Sequence, residues 1–349
     1  MGLIVTPESA DTLDAVLEEL LPLERELPYA NFAPVAARPG AAIALHRDRW
    51  LADGRWPVWV ARAGDGRPLA ALRADHRDFE SEHFGLAMAR IEQPIGVADE
   101  SLRGAALREL YAAAAETLRG AGVAHVAARA STRDRVTPWV LQRAGAVHVD
   151  TQVSWMAALS GTPHDGPPTP SIRIEVLLGE DLEGLDARTW SRLADWAGRA
   201  FDRGPLVFDH TLPVERSSAV YTAWTEKAMK GEWADAVLVA WDGEEIVAFI
   251  SMKSMPDVSD AAGALVCGRG LGATLPEYRG LFTAIQHEMI AARPLGASFM
   301  ENETQAATIG SINVYAKLGF RFLRSTSTFH LHLEGGLPEA WSRTPAEPH

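Results

Sequence analysis

The stretch LPEYRGLFTAIQHEM, residues 275–289, places the components of an anion-binding site in front of an amphipathic helix. A helix N-terminus exposes unpaired amides, and the helix dipole favours negative charge there. Arg279 adds a guanidinium with a fixed fork of donors, and Gly280 lets the backbone approach a ligand closely. The stretch is therefore either a cradle for a phosphate or a plain turn from a strand into a helix.

Two acids in the segment MENETQ are candidates for proton transfer. Glu301 and Glu303 are two residues apart on a predicted strand, so their side chains share a face. Repulsion between two such carboxylates raises the pKa of one of them toward neutrality. That suits a general base, or a pocket that attracts an ammonium ion. The alternative is a pair of solvated acids at the end of a strand.

Three other residues have side chains that could take part in catalysis or metal binding. Cys267 is the only cysteine and lies within a predicted strand, where it is expected to be a small packing residue. A covalent mechanism through its thiol is the alternative. His330 and His332 alternate along a strand with a spacing that metal sites use, but the sequence indicates no third ligand. We predict no metal.

These residues belong to a chain that reads as two similar halves. Residues 160–170, SGTPHDGPPTP, are rich in proline and glycine and predict a linker, and residues 335–349 predict a tail. Each half has helical sequence, then two strands around a Gly-Asp-Gly or Asp-Gly turn. A further strand, an amphipathic helix, a strand, a short helix ending at glycine and a last strand follow. A duplicated α/β domain explains this order.

Composition limits the classes of function. The chain has 349 residues, 47% of them hydrophobic and 23% charged, which is an ordinary globular balance. Its formal net charge of −13 argues against a surface for nucleic acid, which requires a basic patch. The single cysteine excludes an intramolecular disulfide. With neither a signal peptide nor a membrane span evident in the sequence, we expect a cytoplasmic protein with no membrane partner.

The second half resembles the GNAT acetyltransferase superfamily over residues 171–333. The resemblance lies in LPEYRG before a helix, in MENETQ, and in Tyr315 followed by Leu318-Gly319-Phe320. It implies an α/β (α+β) fold of two tandem GNAT-like domains, each with a mixed, mostly antiparallel, splayed sheet flanked by helices. The implied domains are 1–159, degenerate, and 171–334, catalytic.

The resemblance also implies roles for individual residues. The family's Arg/Gln-x-x-Gly-x-Gly/Ala loop holds the pyrophosphate of coenzyme A, and Phe282 stands where that loop usually has glycine. Thr308 stands where the family often has asparagine. The donor's pantetheine arm would pair with backbone groups of the strand before the loop, and Tyr315 would protonate the departing thiolate. The matching cofactor-binding positions are Gly272, Thr274, Arg279, Gly280, Leu281, Phe282, Thr283, Ala284 and Thr308.

The first half resembles the same family without its machinery. It has no Arg-x-x-Gly-x-Gly/Ala loop, and Leu141 stands where the tyrosine would be. The second half is most similar to sugar-amine acetyltransferases of the TDP-fucosamine type, through Thr304-Gln305, Tyr221 to Trp224 and Phe329-His330. That similarity makes Asp209 and His210 candidates on the acceptor side.

The resemblance implies an N-acyltransferase of the acyl-CoA-dependent class, which moves an acetyl or other acyl group from acyl-CoA to a primary amine of a small molecule. The acceptor would be an amino sugar or a biosynthetic intermediate. One alternative takes the acyl group from the thioester of an acyl carrier protein, which Phe282 favours because such a donor has a single phosphate. The other alternative is a non-catalytic module that binds acyl-CoA.

Overall fold

The computed structural model describes residues 3–52, 58–159, 171–201 and 204–333. The predicted linker at 160–170 and the predicted tail at 335–349 lie outside the described residues. The first half of the chain forms seven strands, six α-helices and one 3-10 helix, Leu21–Leu23, within these ranges: β1 Ile4–Glu8, α1 Ala10–Leu20, α2 Ala33–Ala36, α3 Ala41–Leu51, β2 Val58–Arg62, β3 Pro68–His76, α4 Asp78–Phe84, β4 Met88–Ile91, β5 Ile95–Gly96, α5 Glu100–Gly120, β6 His125–Ser131, α6 Thr137–Arg143 and β7 Val147–Ala158.

The second half repeats this alternation of helices and strands. A short 3-10 helix, Pro276–Tyr278, immediately precedes the predicted phosphate loop, which begins at Arg279. The elements of this half are β8 Ile172–Leu178, α7 Glu180–Glu183, α8 Ala187–Ala200, α9 Pro205–Phe208, α10 Val214–Met229, β9 Ala236–Asp242, β10 Glu245–Ser254, α11 Pro256–Ala262, β11 Val266–Thr274, α12 Leu281–Ala292, β12 Phe299–Gln305, α13 Ile309–Lys317 and β13 Arg321–His332.

The chain divides into two compact units. Unit 1 comprises residues 1–31, 39–152 and 325–349, and unit 2 comprises residues 32–38 and 153–324. Strands β7 and β13 each run from one unit into the other. The domain boundaries taken from the sequence remain a prediction, because the linker on which they rest lies outside the described residues.

In unit 1 the strand order is β1-β2-β3-β4-β6-β13, and β5 also pairs with β3. The pair β4–β6 is parallel, and the other neighbours are antiparallel. The core lies between the sheet and helices that include α1 and α5, where Val60, Leu72, Leu107 and Leu110 are completely buried. Residues 58–61 of β2 and 68–72 of β3 are buried without interruption, so both faces of these strands are removed from water, and α5 packs an apolar stripe in this core.

In unit 2 the order is β7-β12-β11-β10-β9-β8, with β7 contributing its residues from Val153 onward. The pair β11–β12 is parallel, and β8 to β11 are antiparallel neighbours. A separate core forms here, in which Val239, Phe249, Ile285 and Met289 are at most 1% exposed. Each unit therefore has a mixed, mostly antiparallel sheet flanked by helices, which confirms the predicted fold class.

In each unit the two parallel strands separate toward their carboxyl ends. In unit 1 the pairing of β4 with β6 ends at Ile91 and Ala128. Arg103, on the first turn of α5, bridges the resulting gap. Its guanidinium donates to Glu24 Oε2 at 2.7 Å, to Asp134 Oδ2 at 3.0 Å and to the Pro94 carbonyl at 3.4 Å.

This ion network is buried, with Arg103, Glu24 and Asp134 each at most 8% exposed. Burial lowers the pKa of Arg103, but the two carboxylates outweigh burial and leave that pKa raised, so the side chain is charged. Removing any one of these three charges would leave a buried charge without compensation. The gap in unit 1 is therefore occupied by the protein's own side chains.

Within the described ranges, no helix combines the length and the apolar character that crossing a bilayer would require.

Replacing Arg103 should be strongly destabilising. Arg103→Met leaves two buried carboxylates without their cation, so we expect the free energy of unfolding to fall by about 3–5 kcal/mol. Chemical denaturation monitored by circular dichroism measures this. Arg108→Met, at an exposed position on the same helix, is the matched control and should change stability by less than about 0.5 kcal/mol. If Arg103→Met lowered the free energy of unfolding by less than about 1 kcal/mol, the stability of the fold would not depend on this network.

Candidate functional site

The parallel strands of unit 2 separate at a bulge in β11. They pair only over Val266–Gly268 and Phe299–Glu301. On the other edge of β11, Gly272 lies opposite Ile250 and Arg269 lies opposite Met252, so three steps of β11 match two of β10. Such an extra residue bends the strand that contains it. The bend turns β11 away from β12 and opens a gap between them.

Backbone groups on β11 point into this gap. The Leu275 amide donates to the Val247 carbonyl of β10 at 2.9 Å. Because peptide groups alternate along a strand, those of Gly272 and Thr274 point away from β10. The Trp196 indole donates to the Thr274 carbonyl at 3.0 Å. The Thr274 hydroxyl is buried and has no hydrogen-bond partner in the described part of the chain. The two amides and this hydroxyl are therefore available to a ligand.

Arg269 extends into the gap, a residue that the sequence analysis missed. Its Nη1 donates to the Tyr315 hydroxyl, and its Nη2 donates to the Gly272 carbonyl at 3.4 Å. The guanidinium carbon lies 5.4 Å from the centre of the Phe282 ring, a cation–π distance. A Cβ atom at Gly272 would lie 2.6 Å from Nη2 and 3.1 Å from the Phe249 carbonyl oxygen, so a side chain at this position would displace the guanidinium. A lone arginine among the glycines of CGRGLG was the available signal.

Tyr315 is completely buried on α13. Its ring packs against Phe320 at 5.3 Å and against Trp155 and Phe282 at 6.4 Å between ring centres. Burial raises the pKa of Tyr315, whereas the charge and hydrogen bond of Arg269 lower it, and the net shift is upward. The phenol is therefore held in its protonated form at neutral pH, with its oxygen oriented by a cation.

The predicted phosphate loop forms the start of α12. Arg279 and Gly280 are exposed, Leu281 is buried, and Phe282, Thr283 and Ala284 occupy the first turn. No side chain caps α12, whereas Asp99 caps the corresponding helix α5 by accepting from the Leu102 amide at 2.9 Å. The amides at the start of α12 are thus not satisfied by a capping side chain. Thr308 precedes α13 and likewise makes no side-chain cap.

A buried polar contact fixes α12 against the sheet. Asn302 Nδ2 on β12 donates to Gln286 Oε1 on α12 at 3.1 Å, and both side chains are completely buried. Asn302 lies between Glu301 and Glu303 in sequence, so its side chain points to the opposite face of β12. The helix start is therefore held at a defined position relative to the strand that borders the gap.

Glu301 and Glu303 share a face, as the sequence indicates, and both contact Arg324. Its Nη1 lies 2.7 Å from Glu301 Oε1, and its Nη2 lies 2.9 Å from Glu303 Oε1. The Ser154 hydroxyl donates to the same oxygen of Glu303 at 2.7 Å. The guanidinium offsets the repulsion between the two carboxylates on which the general-base interpretation relied.

Asp209, His210 and Cys267 lie elsewhere in unit 2. Asp209 is buried and accepts from the Thr211 amide at 3.0 Å, whereas His210 is exposed. Cys267 is completely buried, and burial raises the pKa of its thiol to about 12. A thiol with such a pKa is a poor nucleophile at neutral pH, which favours the packing role.

His330 and His332 lie in unit 1, on the part of β13 that pairs with β6. His125 faces His332 in the register of these two strands. The His125 ring lies 4.4 Å from the His330 ring and 5.0 Å from the His332 ring. The sequence had suggested two neighbouring imidazoles, and the strand pairing adds the third. The absence of a metal remains a prediction.

No protein-family model and no curated protein matches the chain. Solved structures do. A GCN5-related N-acetyltransferase from Sphaerobacter thermophilus aligns over 97% of this chain and 98% of its own, with 16% identity and a TM-score of 0.61. A GCN5-related glucosamine N-acetyltransferase region of a fungal multi-domain GH3 β-N-acetylglucosaminidase aligns over 95% of this chain and 38% of its own, with 14% identity and a TM-score of 0.54.

At these identities the likeness concerns the fold alone. It extends over nearly the whole of both chains in the bacterial case, so it includes both units rather than one. The chain therefore has the fold of the GCN5-related N-acetyltransferases, in a tandem arrangement.

Proposed function

We propose that unit 2 transfers an acyl group from acyl-CoA to a primary amine of a small molecule. The observation that carries this proposal is the gap between β11 and β12. The amides of Gly272 and Thr274 face this gap, and Arg269, which extends into it, donates a hydrogen bond to the Tyr315 hydroxyl. An extended thioester donor matches a strand edge of this kind, because its amides can pair as a further strand would.

The donor's two ends would be held by different groups. The Gly272 and Thr274 amides would bind the pantetheine arm, and the buried Thr274 hydroxyl offers a further contact. The uncapped start of α12 with Arg279 would bind the pyrophosphate. The Phe282 side chain packs toward Tyr315 and Arg269, and α12 still begins as a regular helix. The departure at Phe282 is therefore compatible with a phosphate site.

The reaction forms a C–N bond and breaks the C–S bond of the thioester. A backbone amide of β11 would stabilise the charge that develops on the carbonyl oxygen. Tyr315 would give its proton to the departing sulfur. Its oxygen already accepts from Arg269, which leaves the O–H proton for the leaving group. As the phenolate forms, the guanidinium stabilises it.

The amine must lose a proton, for which Glu301 and Glu303 remain our candidates. Binding the ammonium form of the acceptor is the other role proposed for them, and an ammonium ion there would share the two carboxylates with Arg324. Asp209 and His210 are proposed on the acceptor side by resemblance only. An amino sugar or biosynthetic intermediate is the acceptor that the resemblance implies.

Unit 1 is proposed not to turn over, because Arg103 and its carboxylates occupy the corresponding gap and Asp99 caps the helix that follows. One acyl-CoA should bind per chain. A donor on an acyl carrier protein remains an alternative, because such a donor has one phosphate. Comparing acyl-CoA with an acylated carrier protein in a turnover assay separates the two.

The phosphate role of Arg279 predicts a large effect on donor affinity. Arg279→Glu removes a charge-assisted contact and adds repulsion, a cost of about 1.5–3 kcal/mol, so the dissociation constant for acetyl-CoA should rise at least about tenfold. Isothermal titration calorimetry measures it. Arg188→Glu, at an exposed position on α8, is the charge-matched control and should bind as the wild type does. Equal affinity in both variants would remove the loop assignment.

The acid role of Tyr315 predicts a loss of turnover without a loss of donor binding. Tyr315→Phe should lower kcat by about 10²–10⁴-fold, the usual contribution of a positioned general acid. Acetyl-CoA affinity should stay near wild type, and stability should fall by about 1–3 kcal/mol because Arg269 loses an acceptor. Tyr111→Phe, which removes a completely buried phenol hydroxyl in unit 1, is the control and should keep its activity. A Tyr315→Phe enzyme with more than half the wild-type rate would refute the assignment.

Arg269 should act as a positioning residue through Tyr315, and a double-mutant cycle tests this. Arg269→Met should lower kcat at least about tenfold in the wild-type background. In the Tyr315→Phe background it should cost little more, since the group on which it acts is gone. Arg269→Lys, which keeps the charge, should restore part of the rate. Equal losses in both backgrounds would show that Arg269 does not act through the phenol.

A further inference from the structure

The last strands of the two halves of the chain are exchanged. Consecutive elements usually lie side by side, so a duplicated domain would pair β7 with β6 and β13 with β12. Instead, β13 pairs with β6, and β7 pairs with β12. The part of β7 from Val153 onward belongs to unit 2. The sheet of unit 2, which carries the proposed acyl-transfer site, is therefore completed by a strand from the first half of the chain.

Two consecutive residues of this strand contact two different parts of the proposed site. The Ser154 hydroxyl donates to Glu303 Oε1 at 2.7 Å. The Trp155 ring lies 6.4 Å from the Tyr315 ring, measured between ring centres. Successive side chains of a strand point to opposite faces of the sheet. The strand β7 therefore reaches the carboxylates on one face and the proposed acid on the other.

The bond from Ser154 helps to determine how the Glu303 carboxylate is held. The Glu303 side chain is 39% exposed and that of Glu301 is only 4% exposed, so Glu303 is the carboxylate that an acceptor can reach from solution. A glutamate with this exposure would otherwise populate several rotamers. Its Oε1 accepts from Ser154 and also lies 2.9 Å from Arg324 Nη2. Two donors on one oxygen therefore fix the orientation of the carboxylate.

The two donors differ in what they contact. Arg324 divides its guanidinium between Glu301 and Glu303, whereas the Ser154 hydroxyl donates to Glu303. Ser154 is 3% exposed, so its hydroxyl is removed from water and its bond to a carboxylate is charge-assisted. The serine is thus the donor whose removal would loosen Glu303 and leave the contact between Arg324 and Glu301 in place.

We propose that the first half of the chain takes part in acyl transfer by supplying β7 to the site of unit 2, where Ser154 positions Glu303 toward the acceptor amine. This inference rests on the proposed function of unit 2. It gives the first half a role in the reaction although the gap of unit 1 is filled by Arg103 and its carboxylates.

Steady-state kinetics on the full chain test the role of Ser154. Thiol release from acetyl-CoA is first measured with a panel of amino sugars and alkylamines that begins with glucosamine, and the best acceptor is then varied at saturating acetyl-CoA. We expect Ser154→Ala to lower kcat/KM for the amine about five- to tenfold, because Glu303 loses a charge-assisted bond. The dissociation constant for acetyl-CoA, measured by calorimetry, should stay within about twofold of the wild type.

A double-mutant cycle with Glu303→Gln separates positioning from a general structural effect. In the Glu303→Gln background, Ser154→Ala should cost less than about twofold, because the carboxylate on which the serine acts is gone. Ser154→Thr keeps the hydroxyl and should restore part of the rate. If Ser154→Ala melts early, Ser154→Cys, which keeps the size of the side chain and has only a weak donor, takes its place in the cycle.

A buried serine of unit 1 provides the matched control. The Ser131 hydroxyl donates to Glu26 Oε2 at 3.3 Å, and Ser131→Ala should leave the kinetics unchanged. An active enzyme in which Ser154→Ala keeps the wild-type kcat/KM, or loses as much with Glu303→Gln as without it, would overturn the inference and leave the proposed function intact. If the wild type releases no thiol with any amine of the panel, the proposed function fails and the inference falls with it.

Discussion

A peptide group that leaves a β-ladder inside a protein must find another partner, because a buried amide without one costs about as much as a lost hydrogen bond. The bulge in β11 creates this situation in unit 2, since it ends the pairing with β12 at Gly268 and turns the next peptide groups into the gap. Trp196 satisfies one of them, the Thr274 carbonyl. The other peptide groups still face the gap, and contacts between neighbouring elements fix its borders. Asn302 and Gln286 fix the start of α12, and Arg269 places a cation beside Tyr315.

The same constraint has a different solution in unit 1. There the strands separate after Ile91, and a buried arginine with two carboxylates spans the gap and satisfies the carbonyls on its border. A filled gap is stable but leaves nothing for a ligand, whereas the gap of unit 2 keeps amides and a hydroxyl available. The two units therefore differ in which partners the polar groups at the gap have. This difference follows from a few side chains and not from a different fold.

Local pattern was sufficient for the features that depend on neighbours in sequence. The helix after Gly280, the tyrosine on α13 and the duplicated order of elements all follow from periodicity, turns and the motif resemblance. Contacts between distant segments were not accessible in this way. Arg324 reaches Glu301 and Glu303 from another strand, and His125 joins His332 only through strand pairing. The carboxylate pair was therefore predicted with the right geometry and without the cation that alters its electrostatics.

Phe282 illustrates how a departure from a motif can be informative once its surroundings are known. In the sequence it replaces a glycine and weakens the expectation of a phosphate loop. In the structure its ring contacts both Arg269, whose guanidinium carbon lies 5.4 Å from the ring centre, and Tyr315, at 6.4 Å between ring centres, while Arg269 donates to the phenol. A glycine at that position would remove the closer of the two ring contacts of Arg269, and a less confined arginine would orient the phenol less well. The substitution at the loop and the arginine in the gap are therefore two parts of one arrangement, in which the residue that departs from the motif supports the residue that acts on the tyrosine.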